Sequence, residues 1–193
     1  MIKSKINKGY TLIEIITATV IASIVTIGMY TIFTESSRDI NRESVMHDVK
    51  NYVTTAMQEI SGNIRKAEEV DYSDSFGNSR SIEVTLNDGE TITYSIINNL
   101  ICKNGTPLKV YGDYWLKDDQ ELYDLSIRMN CEKATLSTEA DNANLQDNFY
   151  DVTITVDIQS NTDTDYTNQF RSKQRVLAVN QFVLSGGPSN SDS

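Results

Sequence analysis

The sequence predicts an α+β fold, in which one long N-terminal α-helix packs against an antiparallel β-sheet head domain. Two observations carry this prediction. The first is an apolar run of 24 residues, from Tyr10 to Phe33, followed by a polar segment with apolar residues spaced three and four apart. The second is a series of short segments rich in β-branched and aromatic residues, separated by turn signals, which occupies much of the remaining chain.

The apolar run is long enough to cross a membrane as a helix. It would span about 36 Å, against about 30 Å for the hydrocarbon core of a bilayer. Three lysines precede it and predict a cytoplasmic N-terminus: Lys3, Lys5 and Lys8. A cleaved secretory signal would need a shorter apolar core. A plain signal anchor accounts for the length but not for Glu14, the one charge in the run.

A third interpretation is a helix that packs against similar helices. Small and hydroxylated residues permit close helix contacts in lipid. Four of them recur at helical spacing along the run: Thr19, Ala22, Ser23 and Thr26. The alternative is that the hydroxyl groups bond back to carbonyls of their own helix.

The segment KGYTLIE, residues 8–14, resembles the processing site of type IV pilins and pseudopilins. That family has a short basic leader, a glycine, an aromatic residue and a glutamate at the fifth position after the cut. The resemblance implies that a prepilin peptidase cleaves between Gly9 and Tyr10 and that the new amine of Tyr10 is methylated. It further implies that Glu14 of one subunit pairs with the Tyr10 amine of a neighbour during assembly. Tyr10 stands where phenylalanine is commoner.

The resemblance also implies an organisation and a location. It assigns residues 1–9 to a leader peptide, 10–35 to a transmembrane and filament-core half-helix, 36–68 to an amphipathic half-helix, 69–185 to the β head and 186–193 to a disordered tail. The protein would cross the bacterial inner membrane once, with its N-terminus in the cytoplasm, before joining a periplasmic or extracellular filament. Its partners would be other pilin subunits, prepilin peptidase and an inner-membrane assembly platform.

The polar segment after Phe33 continues the helix. One face of this helix is apolar and contains Val45, Val49, Val53, Ala56, Ile60, Ile64 and Ala67. A single helix from about Tyr10 to Ala67 would be roughly 85 Å long. A break near Gly62 is the alternative, because glycine destabilises helix interiors by about 1 kcal/mol.

Several downstream segments predict strands. SIEVTL and ETITYSII flank the turn NDG, and NNLICKNGTPLKVY contains a second hairpin turn. ELYDLSIRMNCE and FYDVTITVDIQS alternate apolar and polar residues, and RSKQRVLAVNQFVLS predicts one or two final strands. Residues 71–80 and 160–169 are predicted to be loops, and 134–148 a long loop or short helix.

Three further groups are candidate sites. Cys102 and Cys131 are predicted to form a disulfide if the domain is exported; two buried thiols are the alternative. An aromatic cluster is either core or a contact patch: Tyr111, Tyr114 and Trp115. Calcium is the one cofactor considered, with weak candidate ligands in two acidic groups: Asp163 and Asp165, and Asp113, Asp118 and Asp119.

Charge and motif content limit the function. A formal net charge of −10 disfavours general nucleic-acid binding. The only histidine, His47, is predicted on an exposed helix face, and neither a phosphate-binding glycine loop nor a zinc-type cysteine pair occurs. We expect no enzyme activity.

The leading interpretation is a non-catalytic minor pilin or pseudopilin of a type IV pilus-like filament or type II secretion pseudopilus, most similar to minor pilins and J-type pseudopilins. One alternative is a pilin-borne binding module whose head recognises a surface, a substrate or a DNA-uptake partner. Another is an unrelated exported protein with a signal anchor.

Overall fold

The structure, a computed structural model, describes residues 11–75, 79–109, 123–134, 148–161 and 166–184. The predictions for the cleavage pair Gly9 and Tyr10, for the aromatic cluster, for the tail and for both acidic groups lie outside these residues. The chain divides into two compact units, residues 1–45 and 46–193, and each is described by itself.

Helix α1 runs without interruption from Leu12 to Arg65. The prediction of one continuous helix is confirmed, and the alternative break near Gly62 is wrong. At the C-terminal end, the backbone N–H of Lys66 donates to the carbonyl of Asn63 at 3.0 Å. Arg65 lies in the last turn, where a cation interacts favourably with the helix dipole.

The apolar part of α1 lies in the first unit and is exposed in the single chain. Exposed fractions of its large apolar side chains range from 49% at Ile16 to 76% at Leu12, and Phe33 is 73% exposed. By length and composition this helix is able to cross a membrane. Exposure of that kind is costly in water, so the stretch needs lipid or other helices around it.

The apolar stripe predicted from the spacing of residues is buried. No member exceeds 2% exposure: Val45, Val49, Val53, Ala56, Ile60, Ile64 and Ala67. The predicted exposure of His47 is also confirmed; its Nδ1 lies 3.1 Å from Nδ2 of Asn51 on the same helix.

The first part of the head is a five-stranded antiparallel sheet in the order β1-β2-β3-β4-β5. Its strands are β1 (Ala67–Ser75), β2 (Ser79–Leu86), β3 (Thr91–Ile97), β4 (Leu100–Lys103) and β5 (Thr106–Pro107). Both predicted hairpins are confirmed. Gly89 closes the β2–β3 turn with φ +80°, and Asn104 and Gly105 close the β4–β5 turn with φ +50° and +77°.

The second part is a three-stranded antiparallel sheet followed by a short helix. The strands are β6 (Tyr123–Lys133), β7 (Phe149–Ser160) and β8 (Thr167–Leu177), in that order, and the helix is α2 (Val179–Leu184). The predicted alternation is confirmed, because one face of β6 and β7 is buried to 3% exposure or less: Leu125, Ile127, Met129, Val152, Ile154, Val156 and Ile158.

The structure corrects three local predictions. Most of the segment 71–80 is strand, because Asp71–Ser75 pairs in register with Ser79–Glu83 and the ladder satisfies a backbone whose side chains favour turns. Of the one or two strands predicted in RSKQRVLAVNQFVLS, the first is part of β8, and the second is replaced by a helix, α2 (Val179–Leu184). In addition, β8 begins at Thr167, inside the predicted loop 160–169.

Polar contacts join the outer half of α1 to both sheets. The Tyr52 hydroxyl accepts a hydrogen bond from the backbone N–H of Ile101 on β4, and Lys103 Nζ lies 3.1 Å from Glu59 Oε1. On the other sheet, Ser61 Oγ donates to Gln174 Oε1 at 2.9 Å. The helix therefore covers apolar faces of two sheets, as the prediction of a helix packed on an antiparallel head requires.

Candidate processing and assembly segment

The first turn of α1 is closed by a reciprocal pair, Thr11 and Glu14. Glu14 Oε2 accepts from the backbone N–H of Thr11 at 2.8 Å and from its hydroxyl at 2.9 Å. In return, Thr11 Oγ1 accepts from the backbone N–H of Glu14 at 3.3 Å. This is a capping box, in which residues three apart satisfy N–H groups that a helix start leaves without partners.

The capping box gives Glu14 a local role that the sequence reasoning missed. The carboxylate lies at the positive end of the helix dipole and holds two donors of its own chain. The signal was present as Thr-x-x-Glu directly before an apolar run. Thr11 therefore joins Glu14 as a residue that shapes the helix start.

The hydroxyl groups of the apolar stretch bond back to their own helix. Thr19 donates to the carbonyl of Ile16, Ser23 to Thr19 and Thr26 to Ala22, each at 2.8 Å. In the single chain, the hydroxyl groups therefore bond to carbonyls of their own helix, which is the alternative given above to contacts with another helix. Back-bonding satisfies the hydroxyls without a partner helix.

The four small residues nevertheless share one surface. Thr19, Ala22, Ser23 and Thr26 line a single shallow, open groove on α1 together with Ile27. Their side chains are short, so another helix could approach the backbone closely along this groove.

Comparison with protein families bears on this segment directly. Residues 4–30 match the family model described as the prokaryotic N-terminal methylation motif. The chain carries a type IV pilin-like signal. A motif of this type implies processing by a prepilin peptidase and assembly with other pilins. Together with the apolar helix near the N-terminus, it is consistent with anchoring in the inner membrane.

The match covers the pilin-like signal and the start of α1, and the head domain lies beyond it. Comparisons with curated proteins and with solved structures give no match. The architecture of the chain is nonetheless pilin-like in its order, a long N-terminal helix followed by antiparallel sheets.

The cysteines of the pilin-like head do not form the predicted disulfide. Neither Cys102 nor Cys131, the two cysteines of the chain and both described, is in an S–S bond. Cys102 lies on β4 and is 1% exposed; Cys131 lies on β6 and is 0% exposed. Each packs within a different sheet, which corresponds to the alternative of two buried thiols.

The most strongly perturbed charged group in the described head is Asp151 on β7. Its side chain is 6% exposed and lies 2.7 Å from Arg175 Nε and 2.9 Å from Lys173 Nζ, both on β8. Hydrogen bonding to Arg175, which outweighs the effect of burial, lowers the pKa of Asp151 to about 2. These ion pairs join β7 to β8, so we assign Asp151 a structural role.

The metal prediction has no support in the described part of the head. Among the residues that the structure describes, no group of three or more His, Cys, Asp or Glu side chains is placed to hold a metal ion. The weak calcium candidates Asp163 and Asp165 fall outside that part of the chain.

Proposed function

We propose that this chain is a non-catalytic minor pilin or pseudopilin, a subunit of a type IV pilus-like filament or a type II secretion pseudopilus. The observation that carries the proposal is the continuity between the methylation motif and a capped helix whose apolar side chains are exposed from Leu12 to Phe33. A helix of this kind needs apolar surroundings on all sides, which a bilayer offers before assembly and a bundle of like helices offers afterwards.

In this proposal, cleavage between Gly9 and Tyr10 creates a positive amine one residue before the helix cap. The hydrogen bonds from the backbone N–H and from the hydroxyl of Thr11 both end on the same oxygen of Glu14, Oε2. A carboxylate has about four lone-pair sites, so Glu14 keeps capacity for a further donor. The Tyr10 amine of a neighbouring subunit is a donor of the right charge.

Pairing between Glu14 and the Tyr10 amine of a neighbour would fix the axial position of one subunit relative to the next. In a low-dielectric surrounding, an amine and a carboxylate attract strongly when they meet, and either charge alone is costly. Glu14 therefore penalises a subunit placed at the wrong height along its neighbours. The groove lined by Thr19, Ala22, Ser23 and Thr26 is the surface on which a neighbouring helix would then pack.

The proposal is tested at the mature N-terminus. The full chain is expressed in bacterial cells with and without a prepilin peptidase, and the purified protein is analysed by intact mass and N-terminal peptide spectrometry. We expect loss of residues 1–9 and one methyl group on the amine of Tyr10, only when the peptidase is present.

The matched control is Gly9→Val, in which a branched side chain replaces the residue before the cut. It should keep the complete leader, because glycine has no side chain and allows the backbone to approach the peptidase closely, whereas valine would obstruct that approach. A wild-type chain that keeps Met1 beside an active peptidase, or that is cut near residue 20, would rule the proposal out.

A further inference from the structure

The two sheets of the head end in strands of opposite charge. Strand β1 contains four acids and no base: Glu68, Glu69, Asp71 and Asp74. Strand β8 contains three bases and no acid: Arg171, Lys173 and Arg175. Each is the terminal strand of its sheet in the described topology. Terminal strands have one edge of backbone N–H and C=O groups that is not used within the sheet.

Along β1, Asp74 is opposite a base in the register with β2, Arg80, whereas Asp71 is opposite an acid. Asp71 is directly opposite Glu83 on β2, and both are exposed. The side chains of Asp71 and Glu83 lie on the same face of the sheet as the next pair along the strands, in which Ser73 Oγ and Ser81 Oγ are 2.6 Å apart. Like charges in directly opposed positions destabilise a sheet. None of the described residues forms an ion pair with Asp71 or Glu83.

The bases of β8 exceed the acids beside them. Arg171, Lys173 and Arg175 alternate along the strand and therefore share one face, and all three are exposed. Lys173 and Arg175 share a single carboxylate, that of Asp151. The other acid of β7 on that face, Asp157, pairs with Arg128, and Glu132 of β6 lies on the same face opposite Asp151. Arg171 forms no ion pair among the described residues.

We propose that the acidic strand β1 of one copy of this chain lies against the basic strand β8 of a second copy, so that each relieves the charge imbalance of the other. This inference rests on the proposed function, because it describes how neighbouring heads meet in a filament. The occupant is a second copy, since the two charged edges complement each other within one sequence.

The sign of the charges also determines the kind of contact. Two copies of β8 would oppose bases to bases, and two copies of β1 would oppose acids to acids, at a cost of several kcal/mol in either case. A symmetric dimer through one strand is therefore disfavoured. A contact between β1 and β8 is heterologous, and heterologous contacts that do not close into a ring generate helical filaments.

Among the described residues, two hydrogen bonds from beyond this sheet reach its β1 edge, the further of them along the strand at Val70. Asn180 Nδ2 donates to the carbonyl of Lys66 at 2.8 Å, and the Tyr150 hydroxyl donates to that of Val70 at 3.5 Å. These contacts reach the start of β1. The side chains of Asp71, Tyr72 and Ser73 beyond them are exposed.

The test measures proximity between copies. The full chain carrying Ser73→Cys on β1 and Thr167→Cys on β8 is co-expressed with its peptidase and treated with a short bismaleimide. We expect a ladder of cross-linked oligomers, with no ladder from either single-cysteine chain. Cys102 and Cys131 are buried and should contribute little background.

Charge variants in this background decide the inference. Arg171→Glu alone and Asp71→Arg alone should each lower the cross-linked fraction about tenfold, because each brings like charges together. The two changes in one chain should restore it. Lys50→Glu and Glu90→Arg, equal charge changes at exposed sites away from both strands, should leave it unchanged. If one variant does not accumulate, the other single variant decides.

The inference would be overturned by cross-linking that neither single variant reduces, or by a reduction that the double variant does not restore. Cross-links that join Ser73→Cys only to other proteins would also overturn it. The mature N-terminus is measured in the same samples. A processed Tyr10 with no dependence on Arg171 or Asp71 refutes this contact alone, whereas an unprocessed chain refutes the proposed function.

Discussion

The hydroxyl oxygen of Tyr52 on α1 lies 2.7 Å from the backbone nitrogen of Ile101 on β4, whose N–H donates to it. Both residues are buried, at 1% and 0% exposure. Burial, which disfavours the charged phenolate, raises the pKa of Tyr52 to about 12. The outer half of the long helix is therefore joined to the five-stranded sheet by a hydrogen bond inside the core, and not by apolar packing alone.

Removing that acceptor should destabilise the head. We expect Tyr52→Phe to lower the unfolding free energy of the fragment 36–193 by about 1–2 kcal/mol, because the Ile101 N–H is left buried without its partner. Urea titration followed by circular dichroism measures this. Tyr94→Phe is the matched control, since its partner is the side chain of Asn63, which is half-buried and can turn to water. Equal stability of wild type and Tyr52→Phe would contradict the prediction.

Asn99 in the β3–β4 turn joins the two sheets. Its side-chain amide donates to the carbonyl of Leu125, and its Oδ1 accepts from the backbone N–H of Ile127 at 3.3 Å. Because Asn99 has φ +61°, glycine can replace it without strain. We expect Asn99→Gly to cost about 1 kcal/mol of unfolding free energy through the lost bonds.

The neighbouring residue provides the control for Asn99. Asn98 has φ +51° and an exposed side chain, so Asn98→Gly makes the same chemical change without removing a contact to β6. Its unfolding midpoint in urea should match that of the wild type or lie slightly above it. Identical effects of the two substitutions would assign the stability to the turn backbone and not to the bonds with β6.

The lowered pKa of Asp151 predicts that the folded head loses stability in acid. Its folded pKa of about 2 lies below the ordinary value for aspartate, so the folded state binds fewer protons than the unfolded state. The stabilisation is complete above about pH 5 and disappears as the pH falls through the folded pKa, and it amounts to about 2 kcal/mol.

The measurement is the unfolding free energy of the fragment 36–193 between pH 2 and pH 6. Asp151→Asn should lower stability at pH 6 and flatten the dependence on pH. Glu90→Gln, a change at an exposed acid in the β2–β3 turn, should change neither the stability nor its dependence on pH. A slope that survives in Asp151→Asn would show that other carboxylates cause it.

Both cysteines should behave as buried thiols. In the native protein we expect slow reaction of Cys102 and Cys131 with a maleimide, because each is at most 1% exposed. In denaturant without reductant, both should react, giving two labels per chain by mass spectrometry. Labelling that requires a reductant would establish a disulfide in the isolated protein.

The charge of Glu14 and its role as a cap can be separated by two substitutions. Glu14→Gln keeps an acceptor for Thr11 but removes the charge, and Glu14→Ala removes both. If the charge selects the register, both variants should insert into the membrane and be cleaved, yet their share in sheared filaments should fall at least about tenfold. If Glu14→Gln enters filaments as well as the wild type does, the charge is not needed for assembly, and Glu14 acts through its capping hydrogen bonds.

Much of the fold follows from periodic patterns. The apolar residues from Val45 to Ile64 predicted a helix face because they repeat every three or four residues, although Ala67, predicted on the same face, begins β1. Gly89 and Gly105 specified hairpins because positive φ is required there. Strand β1 was missed, since DYSDS has the composition of a turn and becomes a strand only through its pairing with β2. Helix α2 was missed because six residues are too few for a helical period to be visible.

The candidate site was predictable to a different degree. Glu14 stands out as one charge in a long apolar run, and the glycine and aromatic residue before it complete a recognisable pattern. The capping role of Thr11 could also have been predicted, because the spacing Thr-x-x-Glu is visible in the sequence. It was missed because the same residues belong to the more conspicuous processing motif. The charge contrast between β1 and β8 could not be read from the chain, because nothing in the sequence shows that these two strands terminate their sheets.

The hydroxyl hydrogen bonds along the apolar half of α1 affect how stable a single subunit is in the membrane before assembly. Thr17, Thr19, Ser23, Thr26 and Thr31 each donate to a carbonyl of the preceding turn. The hydroxyl donors of a lone copy in a bilayer are therefore satisfied without a partner, and the polar cost of waiting lies in the charge of Glu14. The cell could keep a standing pool of such subunits in the membrane and draw on it when a machine demands them.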